Sequence, residues 1–248
     1  HAHENVRMVA LSKGIENETL LTMSQVLNDV FEQVPREQIG TLYGPSHAEE
    51  VAEGRPTAIV AASSDETEAR RIQKMFMTER LRVYVNTDVL GVEIGGSAKN
   101  VLAIAAGIAD GVSYGDNAKA ALVTRGLAEI RRLGQALGAD PQTFAGLAGI
   151  GDLVVTCMSR HSRNRHVGEQ ISSGKSLEQV VDEMEMVAEG VRTTRSVYNL
   201  AKQHGVEMPI TEAVHAILFD DKSPRKMVKR LMTRSAKHEN WLPTTLQR

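Results

Sequence analysis

Five short segments carry the residue types that do chemistry. Lys13-Gly14 follows directly on the apolar run Arg7–Ser12. In open α/β sheets ligands bind beyond the carboxyl ends of strands, so a lysine there meets an anion or polarises a carbonyl; otherwise it is a surface lysine in a turn. Tyr43-Gly44-Pro45-Ser46 has the same layout of strand end, tight turn and helix start. Free N–H groups at such a start suit a phosphate or a carbonyl oxygen, unless the helix is merely capped. Gly95-Gly96-Ser97-Ala98-Lys99-Asn100 opens a long Ala-rich segment in which no charge follows Lys99 until Asp110. A lysine half-buried there is a proton donor of lowered pKa; the plainer reading is a solvated helix lysine. Gly146–Asp152 is rich in glycine, and Thr156 follows four residues after Asp152. An acid in small, apolar surroundings rarely stays unpaired. Asp152 therefore either holds a catalytic lysine charged and oriented, or caps a helix. Arg160–His166 (RHSRNRH) has three arginines, two histidines and no acid. Ser162-Arg163-Asn164, at a helix start, offers a guanidinium fork, a hydroxyl, an amide and free N–H groups, a good phosphate site. A solvated basic patch and a short nucleic-acid footprint are the other readings, the latter without interleaved aromatics.

These segments need elements to place them. Apolar runs at Arg7–Ser12, Ile39–Tyr43, Thr57–Ala62 and Leu81–Val85 read as strands. Between them Glu18–Phe31, Ser46–Glu53 and Asp65–Met77 read as helices, with Ser46 and Glu49 spaced as a capping box. Strand–helix alternation predicts crossover units and a mostly parallel sheet. From about Gly91 only Leu153–Val155 reads as a strand. The apolar spacing of Val101, Ile104, Ala105 and Ile108, and of Val123, Leu127, Ile130, Leu133 and Leu137, is helical. Further helices are expected at Arg163–Ser172, Ser176–Met184, Gly190–His204, Pro209–Phe219 and Pro224–Arg234. The fold class is α/β plus all-α, changing near residue 90.

Composition narrows the function. The 248 residues carry 29 Lys and Arg against 31 Asp and Glu, a net charge of −2, which gives no global pull toward nucleic acid or an anionic membrane. No uncharged run reaches the 20 or so residues of a membrane span. The basic tail, Lys222, Arg225, Lys226, Lys229, Arg230, Arg234 and Lys237, alternates with Met227, Val228, Leu231 and Met232 and reads as a docked amphipathic helix. The single cysteine, Cys157, fits a reducing compartment. The eight histidines show no metal spacing, and no metal is expected. Gly111-Val112-Ser113-Tyr114-Gly115 matches a nucleophile elbow in letters only, since it follows a helix rather than a strand.

Taken in order, SKGIE (Ser12–Glu16), GPSHAEEVAEGRPTA (Gly44–Ala58), GVEIGGSAKNVLAIAAGIADG (Gly91–Gly111), NAKAALVTRGLAEIRRLG (Asn117–Gly134), TFAGLAGIGDLVVTC (Thr143–Cys157), SRNR (Ser162–Arg165) and VAEGVRTT (Val187–Thr194) cover nearly the whole sequence. Together they resemble the bacterial-type NAD(P)-dependent glycerol-3-phosphate dehydrogenases. The resemblance implies the C-terminal part of a Rossmann-type parallel-sheet domain over residues 1–90, then a helical catalytic and substrate domain over 91–248. It implies NAD or NADP as cofactor and a phosphorylated three-carbon substrate, dihydroxyacetone phosphate or sn-glycerol 3-phosphate. Lys99 would be the general acid/base, with Lys13 and Asp152 as its catalytic companions. Lys13, Gly44, Ser46, Lys99, Asp152, Ser162, Arg163 and Asn164, with Asn100 and Thr156, would meet substrate. Lys13, Ala48, Arg163, Val187 and Glu189 would touch the cofactor. A cytoplasmic enzyme supplying phospholipid synthesis, without nucleic-acid or membrane partners and possible as a homodimer, is the implied setting. Two departures stand out. His47 occupies a position where the family usually has Phe. The glycine-rich pyrophosphate loop of the Rossmann domain is not in the sequence, which begins at His1 near a middle strand, so this stretch alone is expected to bind dinucleotide poorly. A 3-hydroxyacid or ketopantoate-type dehydrogenase and an inactive helical interaction module are the alternatives.

Overall fold

The computed structural model describes residues 6–184, 188–236, 238 and 239. Four strands form one sheet in the order β1 (Met8–Ala10), β2 (Ile39–Tyr43), β3 (Thr57–Ala62) and β4 (Leu81–Asn86). The pairs β1–β2 and β3–β4 are parallel, joined through α1 (Met23–Val30) and α3 (Glu66–Phe76). The middle pair is antiparallel, with Thr41 opposite Ala62, where the strand–helix alternation predicts parallel pairing. The cause is the length of α2 (Ala48–Ala52). A parallel return needs a crossover of a dozen or more residues. This five-residue helix instead turns at Gly54, in the left-handed region at φ 70°, and delivers the chain back at the end where β2 finished.

The two faces of the sheet follow the two-residue period of a strand. Ile59, Ala61 and Val83 pack on one side against Ile72 of α3. Tyr43, Val60 and Ala62 pack on the other against Val92 and Ala148 of the helical part. Asp65 starts α3 by accepting the Thr67 N–H.

Helix α4 (Val89–Gly111) is the axis of the helical part, buried on every side from Gly91 to Ile108. Its length and composition would suffice to cross a membrane, yet 89% of its most apolar window is buried inside the protein. A helix apolar all round is a core helix when other helices surround it. Around it lie α5 (Gly115–Ala136), α6 (Asp152–Met158), α7 (Arg163–Ser172), α8 (Leu177–Asp182), α9 (Glu189–Gln203), α10 (Pro209–Phe219) and α11 (Pro224–Met232). Pro209 and Pro224 occupy first-turn positions, where a missing N–H costs nothing. Ser113, at φ 60°, and Gly115 make the tight turn from α4 to α5, so the elbow-like letters are a helix–helix corner.

Three expectations are corrected. Leu153–Val155 lies within α6, not a strand: Leu153, Thr156 and Cys157 are buried at helical spacing while Val154 faces out. The first helix starts at Met23 rather than Glu18, because the Glu16 carboxylate accepts the Glu18 and Thr19 N–H groups and Leu20 turns at φ 59°. The α2 helix starts after His47, and Ser46 donates to the Gly44 carbonyl instead of capping it. In the tail, α11 buries Met227 and exposes its basic face; Lys237 lies outside the described residues.

α7 reaches α4 through paired glycines. A Cβ on Gly168 would stand 2.1 Å from the Ile104 carbonyl oxygen of α4. Gly168→Ala is therefore expected to lower stability by about 2–3 kcal/mol through overpacking, read by urea unfolding. A loss below about half a kcal/mol would mean that α7 does not rest on the α4 backbone.

Candidate active site

Three elements converge on one carboxylate. Lys13 follows β1, Lys99 lies on the third turn of α4, and Asp152 opens α6. Asp152 is 1% exposed. Its Oδ2 accepts from Lys13 Nζ at 2.7 Å, and its Oδ1 accepts from Lys99 Nζ. Lys99 Nζ also donates to Thr156 Oγ1 at 2.9 Å, and that hydroxyl donates to the Asp152 carbonyl one turn back. Lys13 Nζ makes a second bond, to the Gly44 carbonyl at 3.0 Å. Lys13, Gly44, Lys99, Asp152 and Thr156 thus form one hydrogen-bonded cluster.

The local sequence explains this convergence. Gly95 lets the 147–151 segment approach: a Cβ there would stand 2.6 Å from the Ala148 carbonyl oxygen. That segment is a wide helical turn, Leu147–Gly151, running straight into α6; such turns often accompany functional sites. Asp88, before α4, ties the same region down. It caps α4 through the Gly91 N–H at 2.9 Å and accepts from Thr143 Oγ1 at 2.7 Å and from the Asp140 N–H at 3.0 Å.

Burial sets the proton chemistry. Lys99 is 7% exposed. Desolvation and the neighbouring Lys13 ammonium bring its pKa down to about 8, against the opposing pull of Asp152. The amine therefore stays charged at neutral pH and gives up its proton readily. Burial pushes the Cys157 thiol up to about 12, which fits a core residue. The His47 imidazole is pulled below its usual range by burial and by the Lys99 charge, and its ring faces His161 with centroids 6.3 Å apart.

A second group adjoins the first. Asn100 follows Lys99, and its amide lies 3.5 Å from Glu189 Oε2 at the start of α9. Asn164 Oδ1 accepts the Gly190 N–H at 2.8 Å, so the starts of α7 and α9 are joined. Ser162 caps α7 through the Arg165 N–H, and Arg163 is the first, exposed residue of that helix. Arg165 holds α7 against α4, bonding Asp110 at 2.7 Å, while Asp110 also pairs with Lys119 at 2.5 Å. Ser46 and Ala48 stand at the start of α2, Ser46 bonded to the Gly44 carbonyl. Val187 lies outside the described residues.

Sequence reasoning passed over two contributors. Glu93 is fully buried and accepts the Ser24 N–H and hydroxyl, holding the start of α1 to α4. Its signal was an acid inside the apolar run GVEIGG. Tyr43 is fully buried at the carboxyl end of β2; an aromatic at a strand end gives no signal beyond core.

The donor set suits the nicotinamide end of a dinucleotide. Lys13 and Gly44 lie beyond the carboxyl ends of β1 and β2, the side where open α/β sheets bind ligands. The Asn100 amide and Glu189 carboxylate adjoin the lysine cluster. Among the described residues, the turn after β1 holds only one glycine, Gly14, between Leu11 and Leu21.

Comparison with known proteins gives the family. Residues 88–229 match the family described as NAD-dependent glycerol-3-phosphate dehydrogenase C-terminus, and residues 1–69 match the corresponding N-terminus. Glycerol-3-phosphate dehydrogenase (NAD(P)+) 1 of Salinibacter ruber is 90% identical over 247 residues, which cover 100% of this chain and 72% of that protein. The enzyme of Chlorobium phaeobacteroides is 56% identical over 232 residues, 94% of this chain and 70% of that protein. The crystal structure of glycerol-3-phosphate dehydrogenase from Coxiella burnetii superposes with a TM-score of 0.88 at 40% identity, over 92% of this chain and 69% of that one. The 3-hydroxyacid and ketopantoate readings give way to these matches. Two family domains in order, and a near-identical relative aligned along the full chain, place this chain among the NAD-dependent glycerol-3-phosphate dehydrogenases.

Proposed function

We propose that this chain carries the site that interconverts dihydroxyacetone phosphate and sn-glycerol 3-phosphate with NAD or NADP. The observation that carries the reading is the buried Lys13–Asp152–Lys99 cluster in a chain of this family. We assign residues 1–90 to the nicotinamide-binding part and 91–248 to the catalytic and substrate part. We place the reaction in the cytoplasm, supplying glycerophospholipid synthesis; the single buried cysteine supports a reducing compartment.

Reducing a ketone leaves an alkoxide that needs a proton and nearby positive charge. Two ammonium groups and one carboxylate leave the cluster with a net charge of +1 for the one negative charge that develops. Lys99 gives the proton, Lys13 adds the second positive charge, and Asp152 keeps both lysines in place. Thr156 aims the Lys99 amine, since its hydroxyl is fixed by the Asp152 carbonyl. When bound, the nicotinamide supplies the hydride and takes it back in the reverse direction. Lys13, Ala48, Arg163 and Glu189 would hold it, with Val187. Ser162, Arg163 and Asn164, with Ser46, grip the substrate phosphate, while Gly44 and Asn100 border the carbonyl end. Phosphate binding far from the reacting carbon fixes the carbonyl beside Lys99.

Lys99→Ala is expected to lower turnover by roughly 10²–10⁴-fold without lowering the melting temperature; turnover within tenfold of wild type would remove Lys99 from the acid/base role. Lys99 must be protonated to reduce the ketone and neutral to drive the oxidation. With its pKa at about 8, kcat/KM for reduction should be flat below that pH and fall above it, and the oxidation should show the opposite limb. A reduction rate that climbs steadily from neutral to alkaline pH contradicts the assignment. Arg163→Ala should raise KM for dihydroxyacetone phosphate by roughly tenfold or more, the loss of a charge-assisted pair. An unchanged KM would put the phosphate elsewhere.

A further inference from the structure

Tyr43 supports the lysine cluster from several sides without being one of its hydrogen-bonded members. It is fully buried. Its phenol donates to the Ser12 carbonyl, the peptide immediately before Lys13. Its ring lies under Lys13 Nζ at 5.6 Å from the centroid, within cation–π range. The ring edge seats on α4 at Gly96, where a Cβ would stand 2.5 Å from Tyr43 Cδ2. The next residue, Gly44, supplies the carbonyl that takes the other Lys13 bond. One side chain therefore contacts the backbone behind Lys13, the ammonium ahead of it and the helix that carries Lys99.

We propose that Tyr43 is a positioning residue of the reaction, holding the Lys13 ammonium beside Asp152 and within electrostatic reach of Lys99. The inference rests on the dehydrogenase reading above for its catalytic meaning, but the geometry stands on its own. Burial and the Glu93, Glu189 and Asp152 carboxylates raise the phenol's pKa, so it donates to Ser12 throughout the working pH range. Lys99 meets titratable groups from several elements: Lys13 after β1, Asp152 and Cys157 on α6, and His47 before α2. Of these, Lys13 lowers the Lys99 pKa and Asp152 raises it. A Lys13 that swings away repels Lys99 less and leaves it more of the shared carboxylate. Both effects move the Lys99 titration to higher pH.

The test follows the Lys99 and Lys13 titrations by NMR in ¹³C-lysine-labelled full chain, with turnover and thermal unfolding measured alongside. Wild type, Tyr43→Phe and Tyr43→Leu are compared, each with and without Lys13→Ala. Tyr43→Leu is expected to shift the Lys99 titration up by about half a unit or more and to cut kcat about fivefold or more. Tyr43→Phe, which keeps the ring and loses only the phenol bond, should shift it less in the same direction. In the Lys13→Ala background neither change should move it further. A Lys99 titration unmoved by either Tyr43 variant overturns the proposal, and so does an equal shift with Lys13 already gone. If Tyr43→Leu fails to fold, the near-isosteric Tyr43→Phe decides alone. A wild-type Lys99 titration that depends on Tyr43 but does not respond to saturating dihydroxyacetone phosphate would overturn the dehydrogenase reading and leave the positioning role in place.

Discussion

A single carboxylate shared by two ammonium groups, shielded from water, is the constraint on which the rest of the structure depends. Asp152 is 1% exposed and Lys99 is 7% exposed. A buried charge costs several kcal/mol unless it is paired and its remaining hydrogen-bond capacity is filled. Here the pairing is uneven by design of the residues: two positive groups face one negative group. Burial first, and then the Lys13 charge, disfavour protonated Lys99 and bring its pKa to about 8. Lys99 is thus held by its support in a setting that makes its proton easier to lose. A cluster with a second carboxylate would be more comfortable and less reactive.

Holding such a cluster requires each member to come from a separately fixed element. Lys99 is fixed because α4 is packed on all sides. Asp152 is fixed because the Leu147–Gly151 turn lies against α4 and because Asp88 bonds both the start of α4 and the loop ahead of that turn. Lys13 is on the least regular segment of the three, between a three-residue strand and a helix that starts ten residues later. It is held by three ties: the Gly44 carbonyl, the Asp152 carboxylate and the Tyr43 ring. Glu93 secures the far end of the same segment by holding the first turn of α1.

Much of this was legible in the sequence, and the exceptions have physical causes. The helical part was readable because α4 and α5 are long and their apolar spacing is repeated. The site was readable because Lys99 and Asp152 are lone charges in runs of small apolar residues, where an unpaired charge would be prohibitive. The antiparallel β2–β3 pairing was not, because direction depends on whether α2 spans the sheet, and five residues do not. Leu153–Val155 misled because two adjacent valines resemble a strand, whereas burial at Leu153, Thr156 and Cys157 is helical. Tyr43 and Glu93 escaped because their roles arise from contacts 31 and 69 residues distant along the chain.

The same logic accounts for the placement of the basic segment Ser162–Arg165. Arg163 sits exposed at the first position of α7, while Arg165, two residues on, is turned into the Asp110–Lys119–Glu169 ion cluster. Two arginines of one short motif are therefore placed differently. One lies exposed in the first turn of α7, at a helix start, where an anion is favoured. The other spends its charge on anchoring the helix, with Gly168 closing the contact to α4. The anchor fixes the start of α7 relative to α4, the helix that carries Lys99. The starts of α7 and α9 and the Lys99 turn of α4 are consequently held in one rigid group of helices.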